Sequence, residues 1–258
     1  DRIKDLINKG AINNIKSKKN KKYFLSFFLF INSLYPLLNK NSGNLDLDKI
    51  PHFGESNCLS FAHQTISLNS KLNQIKPVLI TGAKAWHFAN KENNRLKDSL
   101  IQQVKNHTYS DKVFISFGEI DCRKDKYILK NAIKEGKGIS EVCKETIKGY
   151  LNHMEITLSP IYAKRYYFGV PAPTAGIGFP DELDMKRNEM IRIFNSFLKE
   201  EVLSRGSYFL DVYEMTSTEE GENNNLYMCD KTHLSPKCLS ILFENHLYKA
   251  DSYCDLTS

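Results

Sequence analysis

The sequence predicts a three-layer α/β/α sandwich around a parallel sheet of about five strands, preceded by an N-terminal αα-hairpin. Short apolar runs rich in Val, Ile, Phe and Tyr recur from residue 49 onward, as buried parallel strands do. Longer segments with helical spacing of apolar residues separate these runs. Strand and helix alternating in this order give a parallel sheet that is covered on both faces.

Each predicted strand is bounded by glycine, proline or polar residues. The predicted strands are residues 49–54, 77–82, 112–118, 165–172 and 207–213. Four helical patterns lie between them. The predicted helices are residues 57–68, 91–106, 139–158 and 184–204.

The first 45 residues differ in character and are predicted to form the helical hairpin, with the α/β domain occupying residues 46–258. Residues 2–18 and 21–35 carry apolar side chains at helical spacing, and a short basic connection joins them. The second segment resembles the second helix of a tetratricopeptide-like repeat, a type of element that binds protein partners. The alternative is a plain helical appendage packed on the domain.

Residues 23–38 form an apolar stretch inside this hairpin. The stretch is shorter than the ~20 apolar residues that a membrane span needs, and Ser26, Asn32, Ser33 and Pro36 interrupt it. We therefore expect a buried helix here and no membrane span.

The composition is that of an ordinary globular protein, with 41% hydrophobic and 26% charged residues and a net charge of +6. The one dense lysine cluster, at residues 16–22, is expected to be a solvated helix end or loop, so no nucleic-acid partner is expected. Six cysteines are spread thinly along the chain and do not resemble a disulfide framework. Cysteines kept reduced favour a cytoplasmic location.

Small and ionisable residues cluster at the predicted carboxyl ends of the strands. Open parallel sheets bind their ligands at this edge, so these residues are the candidates for a functional site. In chain order they are Gly54, Glu55, Ser56, Thr81, Gly82, Gly118, Glu119, Asp121, Arg123, Asp230 and His233.

Ser56, Asp230 and His233 form a workable catalytic triad. Asp230 and His233 are three residues apart, so a helical or turn-like segment brings their side chains to one side. The carboxylate then holds the imidazole in the tautomer whose outward nitrogen accepts a proton from a serine hydroxyl, which makes that hydroxyl a nucleophile. The alternative is that Ser56 caps the helix at 57–68, Asp230 caps another helix and His233 is a solvated residue.

Four segments resemble, in order and separation, the motifs of the SGNH/GDSL hydrolase superfamily. They are FGESNCLSF (53–61), ITGAKA (80–85), SFGEIDCR (116–123) and DKTHLSP (230–236). The resemblance is greatest to a bacterial branch with a Gly-Asp-Ser-His turn and an FGEIDCR block. It implies a flavodoxin-like sandwich and the activity of an esterase, lipase or acyl transferase, often on acetylated carbohydrates.

Carried over by position, the resemblance implies that Ser56 is the nucleophile, His233 the general base and Asp230 the acid that orients it. The backbone N–H groups of Ser56 and Gly82 would donate to the oxyanion that forms during acyl transfer.

The third motif departs from the superfamily pattern. Ile120 stands where the superfamily has an Asn that completes the oxyanion hole, and losing one such donor typically costs ~10²–10³ in rate. Arg123 is a candidate replacement donor. The alternative is that Arg123 pairs with Glu119 or Asp121.

Four residues near the motifs are candidates for contacts with substrate, with plain structural roles as the alternative. They are Glu119, Asp121, Trp86 and His87. No cofactor or metal is expected, because Cys229, His233 and Cys238 lack the paired cysteine spacing of a zinc site.

These observations predict a serine esterase that removes acetyl or another small O-acyl group from a carbohydrate through an acyl-enzyme on Ser56. Two alternatives stay open. One is an O-acyltransferase that uses the same residues on a glycan, and the other is a catalytically silent glycan-binding or scaffold domain.

Overall fold

The computed structural model describes residues 17–37, 47–174 and 181–249. A seven-stranded sheet lies at the centre of the described residues, in the order β2-β3-β1-β4-β5-β6-β7. The strands are β1 (Asp48–Gly54), β2 (Thr65–Leu68), β3 (Lys71–Leu79), β4 (Lys112–Ser116), β5 (Lys164–Phe168), β6 (Tyr208–Leu210) and β7 (Leu247–Tyr248).

Five of the strands form a parallel core, and β2 and β7 add antiparallel edges to it. The order of the parallel strands, β3-β1-β4-β5-β6, is flavodoxin-like. Because β3 lies on one side of β1 and β4 on the other, the strand order reverses at β1 and opens a crevice at its carboxyl end. The predicted α/β sandwich is confirmed, with two edge strands more than expected.

Helices cover both faces of the sheet. They are α1 (Lys18–Leu34), α2 (Ala85–Ala89), α3 (Arg95–Lys105), α4 (Tyr127–Glu135), α5 (Ile139–Thr157), α6 (Glu182–Ser204), α7 (Val212–Thr216) and α8 (Leu239–Asn245). On β4, Val113 and Ile115 belong to a large core cluster with residues of α5 and α6, whereas Phe114 belongs to a second cluster with residues of α7 and α8. This alternation, expected for a strand buried on both faces, accounts for its unbroken apolar run.

The segment predicted as a helix over 57–68 is a 3₁₀ helix (Ser56–Phe61) followed by β2. The turn between β2 and β3 decides this difference. Asn69 and Ser70 both adopt positive φ angles, 53° and 61°, as the two central residues of a tight hairpin do. The hairpin pairs β2 with β3 along the sheet edge, and this pairing replaces the predicted helix.

The second predicted helix of the N-terminal hairpin is present as α1. The first predicted helix, residues 2–18, and the predicted domain boundary near residue 45 lie almost wholly outside the described residues. α1 is buried on one side only, which corrects the expectation of a buried helix: Phe30 and Leu34 are 1% and 4% exposed, whereas Leu29 is 58% exposed. Among the described residues, no helix combines the length and apolar character needed to cross a membrane.

Candidate active site

The turn after β1 brings a serine to the crevice. At Gly54, a Cβ atom would lie 2.3 Å from Ser116 Oγ, so only glycine fits beside β4 at this point. The 3₁₀ helix begins at Ser56, and its N-cap is Glu55, whose carboxylate accepts a hydrogen bond from Asn57 N at 3.3 Å. The structure therefore assigns the capping role to Glu55, and the hydroxyl of Ser56 is left for other partners.

Ser56, His233 and Asp230 lie together in one hydrogen-bonded chain. Ser56 Oγ is 2.9 Å from His233 Nε2, and His233 Nδ1 is 2.7 Å from Asp230 Oδ2. A carboxylate on Nδ1 favours the tautomer that leaves Nε2 free to accept the serine proton. The arrangement is the one that serine hydrolases use to activate a hydroxyl.

A tight turn holds Asp230 and His233 in this relationship. The other carboxylate oxygen of Asp230 accepts hydrogen bonds from the backbone N–H groups of Thr232 and His233, both at 2.7 Å. Burial raises the pKa of Asp230, but its hydrogen bonds and charge interaction with His233 outweigh burial and hold that pKa below its usual range. The carboxylate is thus kept ionised beside the imidazole.

Glu55 is a second acidic residue whose side chain contacts Ser56. Its Oε2 lies 3.0 Å from Ser56 Oγ, its Oε1 accepts from Asn57 Nδ2 at 3.0 Å, and it is 1% exposed. Burial and the nearby charge of Glu119 raise its pKa, against the opposing hydrogen bonds of Asn57 and Ser56. In the structure Ser56 Oγ donates to Glu55 Oε2; because a serine carries one proton, only a neutral Glu55 that reverses this hydrogen bond leaves the proton for His233.

Arg123 forms an ion pair with Glu119, one of the two alternatives for this residue. Nε donates to both carboxylate oxygens at 3.0 Å, and Nη2 lies 2.5 Å from Oε2. Two of its three nitrogens are therefore engaged by Glu119, whose side chain is only 7% exposed. A role for Arg123 in the oxyanion hole stays a prediction.

Asp121 contributes to structure and not to a substrate surface, contrary to its proposed contact. It is 0% exposed and accepts hydrogen bonds from the backbone N–H groups of Ala85 and Trp86, at 2.7 and 3.2 Å. Burial raises its pKa to about 7, although both hydrogen bonds oppose that rise. Asp121 thus ties the start of α2 to the loop after β4.

Two other candidate substrate contacts point elsewhere. The Trp86 ring packs on Tyr127 with centroids 4.8 Å apart, and His87 Nδ1 accepts from Lys84 N at 3.0 Å. Within the described part of the chain, neither side chain contacts the triad, and a contact of either with substrate stays a prediction. Gly82 lies in the loop after β3 with a φ of 73°, a conformation that favours glycine; its oxyanion role stays a prediction.

Phe30 is a site residue that the sequence reasoning missed. Its ring stacks on the imidazole of His233, with centroids 3.7 Å apart and planes inclined by 14°. The two residues are about 200 positions apart in the sequence, and no local pattern links them. Helical spacing identified α1, but not the side of the domain against which it packs.

No family model and no curated protein matches the sequence. Among solved structures, a GDSL-like lipase from Bacteroides thetaiotaomicron is similar, with 12% identity, a TM-score of 0.52, and coverage of 82% of this chain and 89% of the other. A candidate acylhydrolase from Bacteroides fragilis has 13% identity and a TM-score of 0.50, over 85% of this chain and 90% of its own. At these identities the comparisons establish a shared fold.

Proposed function

Because the chain has the SGNH/GDSL hydrolase fold, we propose that it is a serine-dependent acyl-ester hydrolase with Ser56 as its nucleophile. The observation that carries this proposal is the unbroken chain from Asp230 through His233 to Ser56 Oγ, with contacts of 2.7 and 2.9 Å. The fold supports it independently, because the chain of contacts lies at the carboxyl end of β1, where the strand order reverses.

In the proposed reaction, His233 Nε2 takes the proton of Ser56 as Oγ attacks the carbonyl carbon of the ester. The tetrahedral intermediate collapses, the bond from the acyl carbon to the alcohol oxygen breaks, and His233 returns the proton to the departing alcohol. Water then attacks the acyl-enzyme with His233 again as base, which releases the acid and restores Ser56. Asp230 keeps the imidazole in the required tautomer throughout.

Stabilisation of the oxyanion is the weaker part of this site. The proposed donors are the backbone N–H groups of Ser56 and Gly82. Ile120 has no donor where the superfamily pattern has an amide, and Glu119 engages two nitrogens of Arg123. An enzyme that lacks one such donor is expected to have a kcat that is ~10²–10³ lower than that of a complete site.

The proposed substrate is a small O-acyl group, such as acetyl, on a carbohydrate. A groove of about 410 Å³ borders the triad turn at Lys231 and Thr232, and the side chains that line it are all charged or polar. A more enclosed cavity, next to Glu55 and Phe168, measures about 20 Å³ and has no room for a long acyl chain. A polar alcohol and a short acyl group match these dimensions better than a lipid does.

The experiment that tests the proposal is intact mass measurement after treatment with a fluorophosphonate, which reacts with activated serines. We expect one adduct on the wild type and none on Ser56→Ala or His233→Ala. Ser67→Ala, which changes an exposed serine on edge strand β2, is the matched control and should label like the wild type.

An unlabelled but folded wild type, or labelling that survives in Ser56→Ala, contradicts the proposal. Product analysis with an acetylated sugar then separates the hydrolase from the transferase. Free acetate in water supports hydrolysis, whereas acetyl found on an added second sugar supports transfer, because both reactions share the acyl-enzyme.

A further inference from the structure

A charged groove lies beside the triad turn, and we call it the basic groove. Its charged side chains are Arg123, Lys124, Arg187, Lys231, Glu119 and Asp184, and its volume is about 410 Å³. Lys231 lies between Asp230 and His233 in the sequence, so the groove adjoins the residues proposed to act on the ester. A substrate held at the triad would therefore extend into it.

The two acids of the basic groove are already paired. Glu119 binds Arg123 through Nε and Nη2. Asp184 pairs with Lys124, which also contacts Asp181 at 3.3 Å. The acidic side chains that line the groove are thus neutralised by two of its own cations.

Two cations of the basic groove are left without such a partner. Over residues 17–37, 47–174 and 181–249, neither Arg187 nor Lys231 forms an ion pair, and Arg187 Nε is buried without a hydrogen-bond acceptor. The sequence between Thr174 and Asp181 contains no acidic residue that would balance them. The groove therefore carries a surplus of positive charge.

Arg187 is partly withdrawn from water. It projects from α6, is partly buried, and also lines a small cavity with Cys122, Pro171 and Ile191. A buried guanidinium nitrogen that lacks an acceptor, as Arg187 Nε does, costs free energy that a bound anion would offset. Its planar donors match a carboxylate or a phosphate, and a lysine ammonium adds a second charge.

We propose that the basic groove binds an anionic group, a carboxylate or a phosphate, carried by the ester substrate, with Arg187 and Lys231 as its ligands. This inference rests on the proposed function, and it narrows the substrate class from acylated carbohydrates to acidic ones. A neutral ester remains a substrate of the triad, but the groove does not strengthen its binding.

The test compares three acetyl esters of matched sugars: acetylated glucose, acetylated glucuronate and acetylated glucose 6-phosphate. In the wild type, we expect kcat/KM for one of the two anionic esters to exceed that for the neutral ester by about 10- to 100-fold, the range of one to two charge-assisted hydrogen bonds. Preference for glucuronate identifies a carboxylate ligand, and preference for the 6-phosphate identifies a phosphate. The preference should shrink as salt is added.

Arg187→Gln and Lys231→Gln should each remove most of this preference through KM, since each loses one charge-assisted contact with the anionic group. Lys49→Gln is the matched control, because Lys49 is exposed at the amino end of β1, away from the carboxyl edge. A wild type without preference, or variants that retain it, overturns the inference and leaves the proposed function standing.

A binding measurement separates this inference from the reaction itself. On Ser56→Ala protein, glucuronate or glucose 6-phosphate should bind more tightly than glucose by calorimetry, and Arg187→Gln should abolish the difference. Equal binding of all three sugars counts against the basic groove. Binding of an anion by a protein that hydrolyses no ester supports the groove and rejects the hydrolase.

Discussion

The ring of Phe30 lies flat against the imidazole of His233, with centroids 3.7 Å apart and planes inclined by 14°. Phe30 is 1% exposed, so α1 covers one face of the proposed general base. At the edge of the same ring, Nδ1 is fixed by its hydrogen bond to Asp230 Oδ2 at 2.7 Å. The proposed base is thus held both by a hydrogen bond from its own turn and by an aromatic contact from a distant helix.

Phe30→Ala should lower kcat about two- to tenfold, because an aromatic contact of this kind contributes ~0.5–1.5 kcal/mol to holding the imidazole in place. Phe30→Tyr, which keeps the stacked ring, should have a kcat close to that of the wild type. Leu29→Ala is the matched control, since Leu29 is 58% exposed on the same helix. The measurement is kcat on a neutral ester, with melting curves to show that all variants are folded. Equal kcat values for Phe30→Ala and Leu29→Ala would contradict this role of Phe30.

Asp230→Asn should lower kcat by ~10²–10⁴ with little change in KM. An asparagine keeps its oxygen for the N–H groups of Thr232 and His233, so the turn survives. Its NH₂ group, however, donates to Nδ1, which moves the imidazole proton to Nε2 and removes the acceptor for Ser56. Asp48→Asn, an exposed change at the start of β1, should leave kcat unchanged.

Glu55→Gln should keep activity to higher pH than the wild type. The raised pKa of Glu55 means that its carboxyl stays neutral above the usual carboxylate range, and it then loses its proton as the pH rises further. The ionised form accepts the Ser56 proton in competition with His233, whereas a glutamine amide continues to donate to Oγ. The measurement is kcat/KM against pH; superimposable profiles for the two proteins would rule out this role.

His52 should make the protein sensitive to acid. It is fully buried beside Ser116 and Phe168, and burial lowers its pKa from 6.5 to about 3. Between these values the unfolded chain binds a proton that the folded chain does not, so stability is retained above pH 6.5 and lost as the pH falls toward 3. The loss is expected to be ~1.4 kcal/mol per pH unit.

Urea unfolding from pH 7.5 to pH 4.5 tests this prediction, with His52→Gln as the variant. The stability difference between wild type and His52→Gln should shrink steadily below pH 6.5, because glutamine does not titrate. His63→Asn, an exposed change, is the control and should follow the wild type. A difference that is constant with pH would mean that His52 is not the group responsible.

The location of the site could be predicted from the sequence because it depends on strand order. Once 49–54 and 112–118 are recognised as buried parallel strands, their carboxyl ends must share one edge of the sheet. Ser56 follows the first of these strands directly. The motif resemblance added the order in which the serine, acid and histidine occur along the chain.

What could not be predicted depends on pairings between distant residues. The apolar pattern of residues 57–68 fits helix and strand alike, and the hairpin at Asn69-Ser70 that decides between them depends on the pairing of β2 with β3. The burial of Asp121 depends on where α2 begins, and the stacking of Phe30 depends on where α1 packs. Neither position is encoded within a short window of sequence.

The distance of 177 residues along the chain between Ser56 and His233 has a consequence for synthesis. A ribosome adding roughly 5–20 residues per second produces Ser56 on the order of ten seconds or more before His233, its proposed base. During that interval Ser56 is an ordinary alcohol, and a product truncated before residue 230 would keep it so. Under the proposed function, the nascent chain therefore gains no reactivity toward esters until nearly all of the sheet has been translated.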